Sequence, residues 1–546
     1  MPAGRGRLLT AALTAGALLP FLGKPVHVDD PLFVWAARRI LVAPWDPYGF
    51  QVSWYEWAQP MHEVTKNPPL AAYLLALGGA LLGWSEAALH ATMLAPAVLA
   101  VLGTYRLARR LAAPPGPAAA LAACTPAFAV SATTLMSDVP MLALWTWALA
   151  LWIEGSERGR LLLLGLAALL AAGAGLAKYF GLGVVALMAW WTVLHRPRRW
   201  PALLLLLLPV GAAGAWQLAT AALYGQGLLG EAATYASAYR AGLGEGGLSA
   251  AAVTLAFAGG SLASVGFLAP WLWSPRALGL AALLGATGTL ALPAIGAVPP
   301  GLLAPGGNLG WSLLVQTGLW GVVGAGTLAL ALGALRQRRD PASLLLAGWV
   351  LGTVLFTAWL NWTINARTLL PMAPAVAILA ARRLAAGDRL AARRRWWLIP
   401  LLPAAGLALL VAWADHGLAG SAREASRQAA AWAGPRTLWF HGHWGFQYYM
   451  ERAGARPIDI RRSRLEPGQL VVAPEANTNP VSFLAGSVAP RAVILPAGAP
   501  GFIATLDGRV GAGFYAHVFG PVPFYFGPVP PQRYLLLEVL RPLGPA

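Results

Sequence analysis

Over its first three quarters the chain alternates long apolar runs with short arginine-rich blocks. Runs of roughly 20 apolar residues are long enough to cross a bilayer as helices. The first extends from about Leu8 to Leu22, and the stretch from Pro201 to Gly230 carries no charged residue at all. By run length about thirteen transmembrane helices are expected, the last from about Trp396 to Ala414. A polar and aromatic loop at about 23–87 interrupts the series after the first run. Inside it, "PPLAAYLLALGGALLGW" is apolar but short and glycine-rich, and reads as an interfacial or re-entrant helix. From Asp415 the pattern changes. Short β-like runs ("RTLWFHG", "GQLVVAP", "RAVILPA", "RYLLLEVL") alternate with helix-like ones ("SAREASRQAAAWAG", "GFQYYMERAG"), which predicts a small α/β domain. The segment "FGPVPFYFGPVPPQ" reads as a loop within it. The predicted fold class is an α-helical polytopic membrane protein, residues 1–414, followed by a small extracytoplasmic α/β domain, residues 415–546.

Composition supports this reading: 58% of residues are hydrophobic and 11% charged, which excludes a soluble globular domain. The formal net charge of +18 would suggest nucleic acid in a soluble protein. Here the arginines sit between apolar runs, the positive-inside pattern, so topology accounts for the charge and no nucleic-acid partner is expected. The blocks Arg106–Arg110, Arg158–Arg160, Arg196–Arg199, Arg276, Arg336–Arg339 and Arg382–Arg395 all fall on one side if the short run does not span. That side is expected to be cytoplasmic, with the N-terminus, and the membrane the cell inner membrane. The first run reads as an uncleaved helix. Cys124 is the single cysteine, which excludes an intrachain disulfide and a cysteine metal site.

This topology sorts the remaining polar residues onto the outer face. Asp29 and Asp30 follow the first helix in "HVDDPLF"; Glu56, His62, Glu63, Lys66 and Asn67 share its loop. Asp138 ("SDVPML"), Lys178 and Tyr179 ("LAKYFG") and Arg367 ("NARTLLPMAP") lie at later outer junctions. Lysine occurs only at Lys24, Lys66 and Lys178, all expected outside, in a chain with 39 Lys plus Arg. A compact ammonium kept in so arginine-rich a chain suits a phosphate ligand. Ionisable groups at membrane depth cost roughly 2.5–3.5 kcal/mol each, so they normally face a cavity or a partner. Carboxylates and cations gathered on one face describe a polar cavity for an anionic lipid headgroup.

The ordered set resembles the GT-C glycosyltransferases, specifically the protein O-mannosyltransferase and aminoarabinose-transferase group. Four landmarks carry the resemblance over roughly residues 5–415: the acidic pair after helix one, the Pro-Pro-Leu of "TKNPPLAAYLLAL", the aspartate of "SDVPMLAL", and the "ARTLLPMAP" pattern. The resemblance implies a polyprenyl-phosphate-linked sugar donor and inverting transfer to an acceptor on the extracytoplasmic face. It maps the catalytic aspartate onto Asp29, with Asp138 second and Asp30 as the acidic neighbour. Two positions depart from the pattern: Asn67 stands where Lys or His often precedes the prolines, and Thr368 where Tyr often follows the arginine.

A polyprenyl phosphate is a stable leaving group, so no general acid is required; cations or a metal neutralise the developing charge. The acceptor hydroxyl needs a carboxylate to take its proton. Asp29 is the expected base, with Asp138 or Asp30 orienting the acceptor or holding a metal, and Lys66, Lys178 and Arg367 on the phosphate, flanked by Asn67 and Tyr179. Against this, Asp29 and Asp30 stand before Pro31 and suit a helix cap, as Asp138 does before Pro140. Glu56, His62 and Glu63 are candidate ligands for a divalent cation without a tight spacing. His441 and His443 in "HGHWG" read as a structural turn next to a strand, with a metal or sugar site as the alternative, and the "NWT" sequon at Asn361 reads as accidental. A transporter or flippase for an anionic solute, and an inactive homologue acting as a binding subunit, are the alternatives. A transporter usually shows internal repeats and midplane polar sites, and this chain shows neither.

Overall fold

The computed structural model describes residues 3–195, 197–303, 308–337, 340–386, 399–478 and 481–544. Arg196, Arg338, Arg339, the arginines at 389–395 and the start expected at Trp396 for the last span lie outside these residues.

The chain is mostly helical. Among the described residues six helices are long and apolar enough to cross a membrane, or seven if Leu228–Gly242 and Gly247–Ser261, bent by 112°, count as one span. About thirteen were expected from run length. Several other apolar stretches fold as shorter helices. Leu161–Ala177 stops at Lys178, and a new turn at Tyr179 leads into Gly183–His195. Leu70–Leu82, which is not among the expected spans, has 13 residues, about 20 Å at the usual helical rise.

The core follows from small residues as much as from large ones. Ala148, Ala167, Ala171 and Ala174 are fully buried where helix Asp138–Arg158 packs on Leu161–Ala177. Without a hydrophobic drive between helices in lipid, close backbone approach of this kind supplies the packing. The outward faces stay apolar: helix Pro275–Ala291 buries no residue at all.

The composition change at Asp415 falls inside one unbroken helix, Leu401–Ala433. Its second half packs Ala422, Ala425 and Ala429 against a five-stranded mixed sheet. The strand order is Arg456–Pro457, Leu438–Phe440, Leu470–Pro474, Tyr534–Val539, Val488–Ile494. Leu438–Phe440 is parallel to both its neighbours, and Tyr534–Val539 antiparallel to both of its own. The helix Trp444–Arg452 lies on the same face through Phe446 and Met450.

Residues 503–526 leave this sheet and pack onto the membrane helices. Gln316 exchanges two hydrogen bonds with the Phe526 backbone, both 2.7 Å, and Phe524 meets the Trp320 ring at 5.2 Å. The loop read as part of the α/β unit is thus a strap over helix Asn308–Gln337.

Candidate functional site

Four helix ends converge on one cavity of about 590 Å³. Asp29 precedes helix Asp30–Val42, Asp138 opens Asp138–Arg158, Lys178 follows Leu161–Ala177, and Arg367 opens the turn that leads into Ala373–Ala386. Lys66, Asn67 and Tyr179 line the same space, so seven of the residues singled out in the sequence share it. Trp54, Tyr55, Tyr235 and Trp362 add aromatic walls.

The charges are arranged in a chain. Lys178 Nζ lies 2.5 Å from Asp138 Oδ1. Arg367 bridges the two carboxylates, 3.8 Å from Asp138 Oδ2 and 3.5 Å from Asp29 Oδ2. Its guanidinium sits over the Tyr515 ring at 5.5 Å and contacts the Met136 sulfur; its buried Nε has no protein partner. The Asp138 side chain is 2% exposed, whereas that of Asp29 is 34% exposed, into the cavity. The surrounding protein pushes the Asp29 carboxyl above its ordinary range, opposed by the Arg367 charge. Lys66 donates to the Glu63 carbonyl at 2.7 Å and lies 5.2 Å from the Tyr235 ring. The Tyr179 hydroxyl accepts from Trp216 at 3.0 Å.

The two neighbouring aspartates occupy different environments. Asp29 is the N-cap residue but its side chain accepts no capping hydrogen bond. Asp30 is fully buried away from the cavity: Oδ2 accepts from His27 N at 3.0 Å and Oδ1 from Leu135 N at 2.8 Å. Burial pushes its carboxyl up to about 7, opposed by Lys24. Asp30 ties the first loop to the start of helix Asp138–Arg158 and cannot reach an acceptor.

Glu56, His62 and Glu63 do not assemble. Glu56 borders a narrow cleft with His441 and His443, while His62 stacks on Tyr224 at 4.6 Å. Among the described residues no three His, Cys, Asp or Glu side chains gather as metal ligands. In the cavity Asp138 is already met by Lys178 and Arg367, which leaves Asp29 as the one cavity carboxylate open to a cation among the described residues. Lys24, read as an outer-face cation, is instead fully buried against Asp415 at 2.5 Å.

"HGHWG" is a docking turn. Burial pushes His441 and His443 down to about 4, so both rings are neutral at pH 7. His443 packs on Trp54 at 5.5 Å, and a Cβ at Gly445 would stand 2.0 Å from the Val26 carbonyl oxygen. Gln447 donates to the Ser53 carbonyl at 2.8 Å. Any side chain at Gly445 would push the sheet off the loop that carries Asp29. Gly445→Ala is therefore expected to lower thermal stability and activity together; a variant with unchanged melting temperature would count against this close approach.

Sequence reasoning missed Tyr515 and Asn365. Asn365 caps the Arg367 turn by accepting from Thr368 N at 2.8 Å, a Ser/Thr/Asp/Asn cap signal visible in "INART". Tyr515 had no local signal, because its place under Arg367 depends on the strap.

The model of the family described as dolichyl-phosphate-mannose-protein mannosyltransferase matches residues 66–223, which hold Lys66, Asn67, Asp138, Lys178 and Tyr179 but neither Asp29 nor Arg367. No curated protein matches the chain in sequence. Among solved structures, an archaeal oligosaccharyltransferase from Archaeoglobus fulgidus, AglB, in complex with an inhibitory peptide and a dolichol-phosphate, is similar at 13% identity and a TM-score of 0.50, over 86% of this chain and 69% of that one. ArnT from Cupriavidus metallidurans bound to undecaprenyl phosphate aligns at 14% identity and a TM-score of 0.44, over 86% of this chain and 93% of that one. The family model thus matches the cavity's central elements, and the archaeal oligosaccharyltransferase shares its fold across most of the chain.

Proposed function

We propose that the chain is a membrane glycosyltransferase that moves a sugar from a polyprenyl-phosphate donor to an acceptor hydroxyl, with inversion and with Asp29 as general base. The observation that carries this reading is one cavity holding a carboxylate without a hydrogen-bond partner beside an arginine and two lysines. The mannosyltransferase family match and the dolichol-phosphate in the archaeal relative support the choice of donor class. On this reading the cavity opens to the extracytoplasmic side of the inner membrane, and the sheet at 415–546 forms an extracytoplasmic unit over it.

The roles follow from the surroundings of each group. Asp29 has free lone pairs and enough exposure to reach a hydroxyl. Asp138 is saturated by Lys178 and Arg367, so it positions those cations instead of accepting a proton. Arg367, Lys178 and Lys66 offset the charge that grows on the departing phosphate, an effect strongest in a site shielded from water. Asn67 and Tyr179 border the same space. Asp29 takes the acceptor proton as the acceptor oxygen attacks the anomeric carbon, and the carbon–phosphate-oxygen bond breaks on the opposite face. The test is a transfer assay with purified protein and a panel of polyprenyl-phosphate sugars. Turnover with one donor and an inverted product is expected. Absence of turnover with every donor, together with movement of the lipid across vesicles, would replace this reading with a flippase.

Two further outcomes are expected. Lys66 is half-buried and its removal strands no buried carboxylate, so Lys66→Ala should raise the donor KM with little change in kcat. A charge-assisted hydrogen bond of about 1.5–3 kcal/mol corresponds to roughly ten- to a hundredfold. An unchanged KM would remove Lys66 from the donor. In the pH profile, the base must be ionised, so kcat/KM should fall as pH drops through the Asp29 pKa. That limb should lie above the ordinary aspartate value of 3.8. A limb at or below it would count against Asp29.

A further inference from the structure

The helix that begins at Asp138 ends in a second charged cavity. Glu154 and Arg158 lie 16 and 20 residues along it, about 24–30 Å from the donor site. There, three helices, Ala3–Leu18, Glu86–Arg110 and Asp138–Arg158, enclose a cavity of about 540 Å³. Arg7, Arg106, Arg109, Arg110 and Arg158 line it. Topology alone asks only for positive charge somewhere beyond the helix ends. It does not ask that five arginines from three helices turn toward one space.

Three of these arginines, Arg106, Arg110 and Arg158, are held in place. Glu154, 5% exposed, receives Arg106 at 2.6 Å and both Arg110 and Arg158 at 2.7 Å. Arg110 also meets Glu157 at 3.1 Å, and the Arg106 guanidinium lies 5.2 Å from the Trp147 ring. The Trp147 indole is fixed in turn by the Leu99 carbonyl at 2.9 Å. Even without Arg7, four guanidinium groups stand against Glu154 and Glu157, and three of them are oriented by the buried Glu154. Its other wall is apolar: Leu8, Ala11 and Leu102 line it, and Leu8 is 74% exposed on the outer surface of the first helix. A ligand that fits both walls is an anion with an apolar tail entering beside Leu8.

We infer that this cavity binds the headgroup of an anionic phospholipid, with its acyl chain along the first helix. The phosphate takes fork-like hydrogen bonds from the guanidinium groups, which match it in geometry and charge. Basic pockets between transmembrane helices suit this kind of ligand. The site stands apart from the donor cavity and does not depend on the transfer reading.

The test uses the full chain in a neutral detergent, with bound lipid counted by native mass spectrometry. Phosphatidylglycerol, phosphatidylcholine and inorganic phosphate are titrated separately. Selective retention of phosphatidylglycerol, undisturbed by excess inorganic phosphate, is expected. Arg7→Gln/Arg109→Gln leaves the Glu154 pairs intact and should weaken phosphatidylglycerol binding about thirtyfold, the effect of two basic residues near an anionic lipid. If that variant fails to fold, Arg109→Gln alone, at an exposed position, should weaken it about fivefold. Equal retention of both lipids, displacement by free phosphate, or unchanged binding in the folded variant would each overturn the inference.

Discussion

Replacing Asp29 by asparagine is expected to lower kcat by about 10²–10⁴-fold, the usual contribution of a positioned general base. The substitution is nearly isosteric. Asp29 accepts no capping hydrogen bond, and among the described residues its ion pair is with Arg367 at 3.5 Å, so folding should survive. Donor binding should change little, because Arg367 keeps Asp138 and gains freedom toward the phosphate. The decisive readout is the split between kcat and KM together with the loss of the acidic pH limb. Asp138→Asn should behave differently. It strands Lys178 and Arg367 with half their counter-charge, so stability and donor affinity both suffer. Wild-type turnover in Asp29→Asn would show that the proton leaves by another route and would return Asp29 to the role of a helix-terminal residue.

How much of this was legible depended on whether a residue's role is set locally. "HVDDPLF", "TKNPPL", "SDVPML" and "ARTLLPMAP" each announce a helix end through a proline or an acid, and a polar residue at a helix end in a membrane protein is costly unless a cavity receives it. Those stretches converge on one space. The sheet was legible for a similar reason, since its four longer strands are largely aliphatic and aromatic runs bounded by turns. Run length was a poorer guide to spans: about thirteen were expected, and among the described residues six or seven helices are long and apolar enough to cross a membrane. Least legible were contacts between segments hundreds of residues apart. Lys24 reads in sequence as an interfacial cation, and nothing near it announces Asp415. Tyr515 reads as one aromatic among many until the strap brings it beneath Arg367.

The Lys24–Asp415 pair should be the costliest single contact to break. Both side chains are fully buried, 2.5 Å apart. Lys24 has one other side-chain partner, Thr133 at 3.2 Å; Asp415 also accepts from Tyr515 at 2.7 Å and Thr505 at 2.8 Å and lies 3.6 Å from His27. Removing one member of a buried pair costs about 3–5 kcal/mol, because the other charge is left without compensation. Asp415→Asn should therefore destabilise more than Lys24→Met, since the ammonium keeps one weak partner and the carboxylate keeps three. Lys24→Met/Asp415→Asn buries no charge and retains an acceptor for Tyr515 and Thr505. It should be clearly more stable than the sum of the single losses predicts, as read from unfolding in detergent. Additive losses would mean that the pair contributes through packing alone. The consequence reaches the site as well. Lys24 precedes Asp29 by a short loop, and the Asp415 helix holds Tyr515 under Arg367, so one ion pair fixes both Asp29 and Arg367. Each single variant should then lose transfer activity even below its melting temperature, and the double variant should recover part of it.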